Sequence, residues 1–182
     1  MTAETQRRSD YDVTNRINTT DPQIVSEAVC GIYRDLYQQD TARNLPQAFT
    51  DLARLYRGEY PGFRECDTDY HDLQHVLDVT LGMARLLDGC VRTAGAGTLT
   101  ERLFRLGIVS ALYHDCGYIR RRKDTKHANG AEYTTVHVAR GVEFLEAYLP
   151  KIGMADLVQA ASRIVHFTGY EMDIDDIMLH DP

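Results

Sequence analysis

The stretch YHDLQHVLDVT, Tyr70 to Thr80, decides how this chain is read. Laid on a 3.6-residue period and carried on to Leu87, it puts Leu73, Val76, Leu77, Thr80, Ala84 and Leu87 on one face. His71, His75, Asp78 and Gly82 fall in line on the opposite face. The spacing predicts a helix from about Tyr70 to Leu87. A solvated helix face is ordinarily rich in Lys and Glu. This one carries two histidines, an aspartate and a glycine, which suit coordination and close approach.

The segments on either side read as helices too. DPQIVSEAVCGIYRDLYQQ opens with Asp21 as N-cap and Pro22 at the first helical position. LPQAFTDLARLYRGEY is a second helix, closed by Pro61-Gly62. After the Tyr70 helix comes LTERLFRLGIVSALYHDCG, started by Thr98 or Thr100 and stopped at Gly117. A polar loop, YIRRRKDTKHANG, follows it. A fifth helix is predicted from about Ala131 to Leu149, and a sixth from about Ala155 to His166. No segment alternates like a strand, and no repeat is visible. The expectation is an all-α, single-domain helical bundle over residues 21–182, preceded by a polar, mobile tail over residues 1–20.

Composition narrows the function classes. Hydrophobic residues at 43% and charged residues at 26% fit a soluble globular chain. No apolar run approaches the roughly 18–20 residues of a membrane span. The first twenty residues lack the apolar core of a secretory signal. Cys30, Cys66, Cys90 and Cys116 form no CxxC pair, so reduced thiols and a cytoplasmic setting are expected. A net charge of −7 argues against a nucleic-acid polymer as partner. The local exception is RRRK, Arg120 to Lys123, with Lys126 close behind.

LGIVSALY in the fourth helix is apolar nearly all round, which predicts a buried helix. It delivers His114 and Asp115 side by side at its C-terminal end. A buried carboxylate needs an opposite charge, and the negative end of a helix dipole offers none. Either an arginine or a metal cation can supply it. The adjacent histidine favours the metal, because imidazole and carboxylate together suit divalent ions. His137 shares a stripe with Gly141, Phe144 and Tyr148, beside an apolar face of Val138, Val142 and Leu145. His166 ends the sixth helix, off its apolar face of Leu157, Val158, Ala161 and Ile164. These two gain meaning only beside the first three. His127 and His180 read as surface residues.

The pattern resembles the HD superfamily of metal-dependent phosphohydrolases. His114-Asp115 in ALYHDCGY matches the adjacent His and Asp for which that family is named. YHDLQHVLDVT is similar to the Y-H-N-x-x-H-x-x-D-V-T signature of its cyclic-nucleotide phosphodiesterase branch, with Asp72 in place of Asn. VHVARGVEFL resembles the H-x-x-x-G helix of the bimetallic HD-GYP branch, and IVHFTGY stands where that branch has its next histidine. The chain departs from the family in two respects. The GYP tripeptide is absent, and the family's later Asp ligand has no clear counterpart. Glu171, Asp173, Asp175, Asp176 and Asp181 are the only acidic residues after His166, in a segment that reads as a turn. The resemblance therefore leads us to expect an active domain that continues past Pro182.

The resemblance implies one divalent ion (Mg, Mn, Fe, Zn or Ni) on His75, His114 and Asp115. Asp115 would bridge to a second ion held by His137 and His166. Metal-activated water would be the nucleophile, and His71, one helical turn from His75, the general acid. The expected partner is a small phosphorylated molecule, with Arg120 to Lys126 as a possible guide for its charge. Two other readings remain open at this point: a di-iron HD-fold oxygenase and a non-catalytic HD signalling module.

Overall fold

The computed structural model describes residues 9–39 and 44–169. Six α-helices carry the fold: α1 (Pro22–Tyr37), α2 (Leu45–Tyr56), α3 (Leu73–Ala94), α4 (Glu101–Tyr113), α5 (His137–Tyr148) and α6 (Val158–His166). Short 3-10 turns link them at Cys116–Tyr118, Gly130–Tyr133, Leu149–Ile152 and Ala155–Leu157. Among the described residues there is no sheet, only isolated bridges. The all-α expectation holds, and no described helix is long and apolar enough to cross a membrane.

Helix α4 is the hub, packing against α1, α2, α3 and α6. Every residue from Ile108 to Tyr113 is buried, as the all-round apolar pattern requires. Thr100, one of the two expected caps, accepts from the Leu103 amide. At the other end the chain passes through His114 and Asp115 into the Cys116–Tyr118 turn. The apolar face of α3 buries Val76, Leu77, Thr80, Leu81 and Ala84 against this hub. Asp21 caps α1 as expected, accepting from the Gln23 and Ile24 amides.

Several boundaries differ from the sequence reading: α3 runs on to Ala94, past Leu87, and α4 ends at Tyr113, short of Gly117. Helix α2 ends at Tyr56, before Pro61-Gly62, and its Arg57 amide closes back on Ala53. Helix α3 begins at Leu73, because the Asp72 side chain accepts from the His75 amide and makes Asp72 the N-cap. The predicted fifth helix splits into the Gly130–Tyr133 turn and α5, and the sixth into the Ala155–Leu157 turn and α6.

Residues 9–20 were expected to belong to a mobile tail, yet they form a packed knot. The Asp12 carboxylate gathers the amides of Thr14, Arg16 and Ile17. It also receives the Thr14 hydroxyl and the Arg85 guanidinium of α3. Gln74 of α3 donates to the Ser9 carbonyl. Polar side chains closing on nearby backbone make this structure, so no apolar period announces it. The four cysteines are unpaired, as expected.

The deep face of α5 is the His137 stripe together with Leu145, the one member of the predicted apolar face that is fully buried. His137, Gly141, Phe144 and Tyr148 are buried, whereas Val138 and Val142 are half-buried. Close approach explains the choice. A Cβ on Gly117 would stand 1.8 Å from the His137 carbonyl oxygen, so only glycine lets α5 lie against the Cys116–Tyr118 turn. In α6 the buried line is Leu157, Ala161 and Val165, while Ile164 faces outward.

Candidate metal centre

Three imidazoles converge on one carboxylate oxygen. His71 Nδ1 lies 2.7 Å from Asp115 Oδ2, His114 Nε2 lies 3.1 Å from it, and His75 Nε2 lies 3.3 Å from it. Side-chain exposure falls from His71 at 31% through His75 at 22% and His114 at 15% to Asp115 at 6%. The cluster is therefore layered, with Asp115 at its floor and His71 at its rim.

Each side chain is brought in by a local device. His75 stands in the first turn of α3, whose start is fixed by the Asp72 cap. His71 lies outside the helix. The extended backbone at Asp72 (φ −88°, ψ −178°) turns the chain, while Thr68 Oγ1 donates to the His71 carbonyl at 3.1 Å. This turn carries His71 Nδ1 onto Asp115. On the helix expected over Tyr70 to Leu87, His71 would have stood one turn away from His75 along the same face. His114 caps α4, and its Nδ1 lies 2.8 Å from the Ala111 carbonyl.

That last contact fixes the proton on His114. A carbonyl oxygen only accepts, so Nδ1 carries the hydrogen, and in the neutral ring Nε2 presents a lone pair. This lone pair would face Asp115 Oδ2, which is also an acceptor. A cation must lie between them: a second proton on His114 or a metal ion. Burial works against charge on His114, but the Asp115 carboxylate and the Ala111 carbonyl outweigh it and raise its pKa. Burial likewise disfavours the Asp115 anion. The imidazoles of His114, His75 and His71 reverse that and hold it well below the usual carboxylate range.

His71, His75 and Asp115 offer ligand atoms that all lie within 4.8 Å of one another, so they can hold a metal ion. Nitrogen and carboxylate donors together suit a divalent transition metal. Among the described residues no other such group occurs. His75, His114 and Asp115 converge, as the sequence suggested, and His71 joins them.

His137 and His166 do not join this group. His137 is buried, but the Tyr118 ring lies between it and His71, and its Nδ1 is 2.7 Å from the Thr134 carbonyl. His166 is exposed at the end of α6, beside Phe167. A second ion position on these two histidines has no support here. Glu171, Asp173, Asp175, Asp176, His180 and Asp181 lie outside the described residues.

The basic run is largely structural. Arg120 pairs with Asp67 and donates to the His127 carbonyl at 2.8 Å. The Arg121 guanidinium sits 4.4 Å over the Phe63 ring and 3.5 Å from Glu143. Arg122 donates to the Gly58 and Phe63 carbonyls. Lys123 and Lys126 are exposed. His127, read as a surface residue, is half-buried, with Nδ1 2.9 Å from Asp124.

Two residues at the centre escaped the sequence reading: Tyr118, stacked between two histidines, and Tyr70, an exposed ring 4.9 Å from that of His75. Both are quoted in the motifs above. No periodic signal marks them, because their contacts are set by the turns that carry them. No protein-family model matches the chain, and no curated protein or solved structure matches it.

Proposed function

We propose that this chain is a metal-dependent phosphohydrolase acting on a small phosphorylated molecule. The observation that supports it most is Asp115 Oδ2 faced by three imidazole nitrogens, one of them with its proton fixed on the far side by Ala111. That arrangement demands a cation. The motifs that build it resemble those of the HD phosphohydrolases, and this resemblance supplies the reaction class.

His71, His75 and Asp115 are the proposed ligands. When bound, a divalent ion supplies a water of lowered pKa and polarises a phosphoryl oxygen. His114, buried behind the carboxylate, carries the second proton that lets Nε2 donate to Asp115 Oδ2, and so orients it from the second layer. This exchanges the roles that the resemblance gave to His71 and His114, because His71 Nδ1 makes the shortest approach to Asp115. Tyr70 lines the rim, where a substrate would arrive. A di-iron reaction would need ligands for a second ion, and the described residues provide one cluster.

The test is phosphate release from a panel of phosphomonoesters, phosphodiesters and nucleotides, with Mn, Zn, Ni, Fe or Mg supplied. The expected result is turnover of at least one class that EDTA abolishes and that Asp115→Asn lacks. Turnover that persists in EDTA or in Asp115→Asn, or no turnover with any ion by a chain that binds one, contradicts the proposal.

A further inference from the structure

His71, Tyr118 and His137 form a three-ring stack. The ring centroids of His71 and Tyr118 are 4.3 Å apart, and those of Tyr118 and His137 are 4.2 Å apart. Both pairs are inclined by only 16°. These are close parallel contacts, just under the 4.5–7 Å range usual for aromatic pairs.

The middle ring has little freedom to move. The Tyr118 amide donates to the Asp115 carbonyl at 3.1 Å. Arg140 of α5 donates to the carbonyls on either side, Gly117 at 2.7 Å and Ile119 at 2.9 Å. A Cβ on Gly130 would stand 2.5 Å from the Tyr118 carbonyl oxygen, so the loop that returns to α5 also presses on this turn. The outer ring is held as well. His137 is buried, and its Nδ1 donates to the Thr134 carbonyl. Tyr118 thus belongs to a plate anchored in α5, and the rim histidine leans on that plate.

His71 is the cluster member most in need of such support. It lies outside α3, and it is the most exposed of the four side chains. Tilting of its ring out of this plane would lift Nδ1 from Asp115 Oδ2. Opposed to a flat ring at 4.3 Å, the imidazole can keep its plane only by staying parallel.

We propose that Tyr118, backed by His137, is a positioning residue that clamps the His71 imidazole in the plane that holds Nδ1 on Asp115. This deepens the metal-site reading and rests on it for its functional meaning. His137 therefore serves the same centre from one ring further out, as part of the clamp.

The experiment reads the His71 tautomer in the metal-free full chain by long-range 1H–15N NMR of the imidazole side chains. A carboxylate accepts, so the clamped state has the hydrogen on Nδ1. Wild type and Tyr118→Phe, which keeps the ring, should both show the Nδ1–H form. Tyr118→Leu should shift His71 to an averaged pattern or to the Nε2–H form. His137→Leu should shift it in the same direction by less, and it decides the matter if Tyr118→Leu does not fold. An unchanged His71 pattern in the leucine variants overturns the proposal, as does its loss in Tyr118→Phe. A second arm adds Co(II). Tyr118→Leu should weaken binding about tenfold and alter the visible spectrum, while Tyr118→Phe stays within about twofold, as expected of a residue that orients a ligand. If wild type binds no Co(II), the metal reading fails, and the tautomer result still judges the clamp by itself.

Discussion

Asp12 and Asp115 are both buried carboxylates, 2% and 4% exposed, and they are neutralised by different means. Asp12 is met by three backbone amides, a hydroxyl and the Arg85 guanidinium at 2.8 Å. Burial would raise its pKa, but these donors together hold it well below the usual carboxylate range. All of these donors carry their hydrogens at any ordinary pH. Asp115 is met by histidines alone, which can carry a hydrogen or a lone pair at the facing atom. The Asp12 knot is thus complete as it stands, whereas the Asp115 cluster could hold a metal ion. Burial of an acid does not distinguish a site from a staple; the chemistry of its donors does.

The largest expected effect concerns Asp115. Asp115→Asn should weaken divalent-ion binding by at least about a hundredfold and remove any metal-dependent turnover, since the remaining donors are neutral and the loss of a ligand exceeds the 10–100-fold cost of losing an orienting partner. Metal titration of the variant checks this. The corresponding change at Asp12 should act on stability instead. Asp12→Ala leaves the Arg16 and Ile17 amides and Arg85 without their acceptor and should cost on the order of 2–3 kcal/mol in denaturant unfolding, with ion binding unchanged. Ion loss in Asp12→Ala would mean that the two regions are coupled through α3.

The two histidine roles give a smaller, sharper contrast. His71→Ala should lose most of the ion affinity, while His114→Ala should lose about tenfold, the effect expected of an orienting group. The reverse order would restore His114 as ligand and His71 as general acid. Asp21 is a third carboxylate in a third role. It caps α1 from a half-buried position, so Asp21→Ala should cost about 1 kcal/mol and leave the centre alone.

Acid should separate these roles further. The folded pKa of Asp12 lies below its unfolded value of about 3.9, so its stabilisation is present above pH ~4 and is lost as pH falls from there toward the folded pKa. Unfolding followed between pH 5 and pH 2 should therefore show a shallower decline in Asp12→Asn than in wild type. Parallel declines would show that the knot contributes nothing to acid sensitivity.

The helical frame was legible because hydrophobic period and caps are local. The burial of α4 follows from LGIVSALY, and the start of α1 from Asp21-Pro22. The meeting of His75, His114 and Asp115 was legible through the motifs that carry them. Three things were not. His71 left the helix because Asp72 capped it, and an aspartate after a histidine reads equally well as a helix residue or a cap. The 9–20 knot depends on one side chain folding back on backbone amides, which leaves no period. His137 was placed on the buried stripe, but its turn toward Tyr118 depends on the bare backbone of Gly117, a contact across twenty residues of chain.

Whether Asp115 takes a metal ion is read by calorimetric titration of the metal-free chain with Zn(II) or Co(II). The expected result is saturable binding of one ion per chain, lost in Asp115→Asn. Absence of saturable binding, or binding that survives in Asp115→Asn with the same affinity, would overturn it.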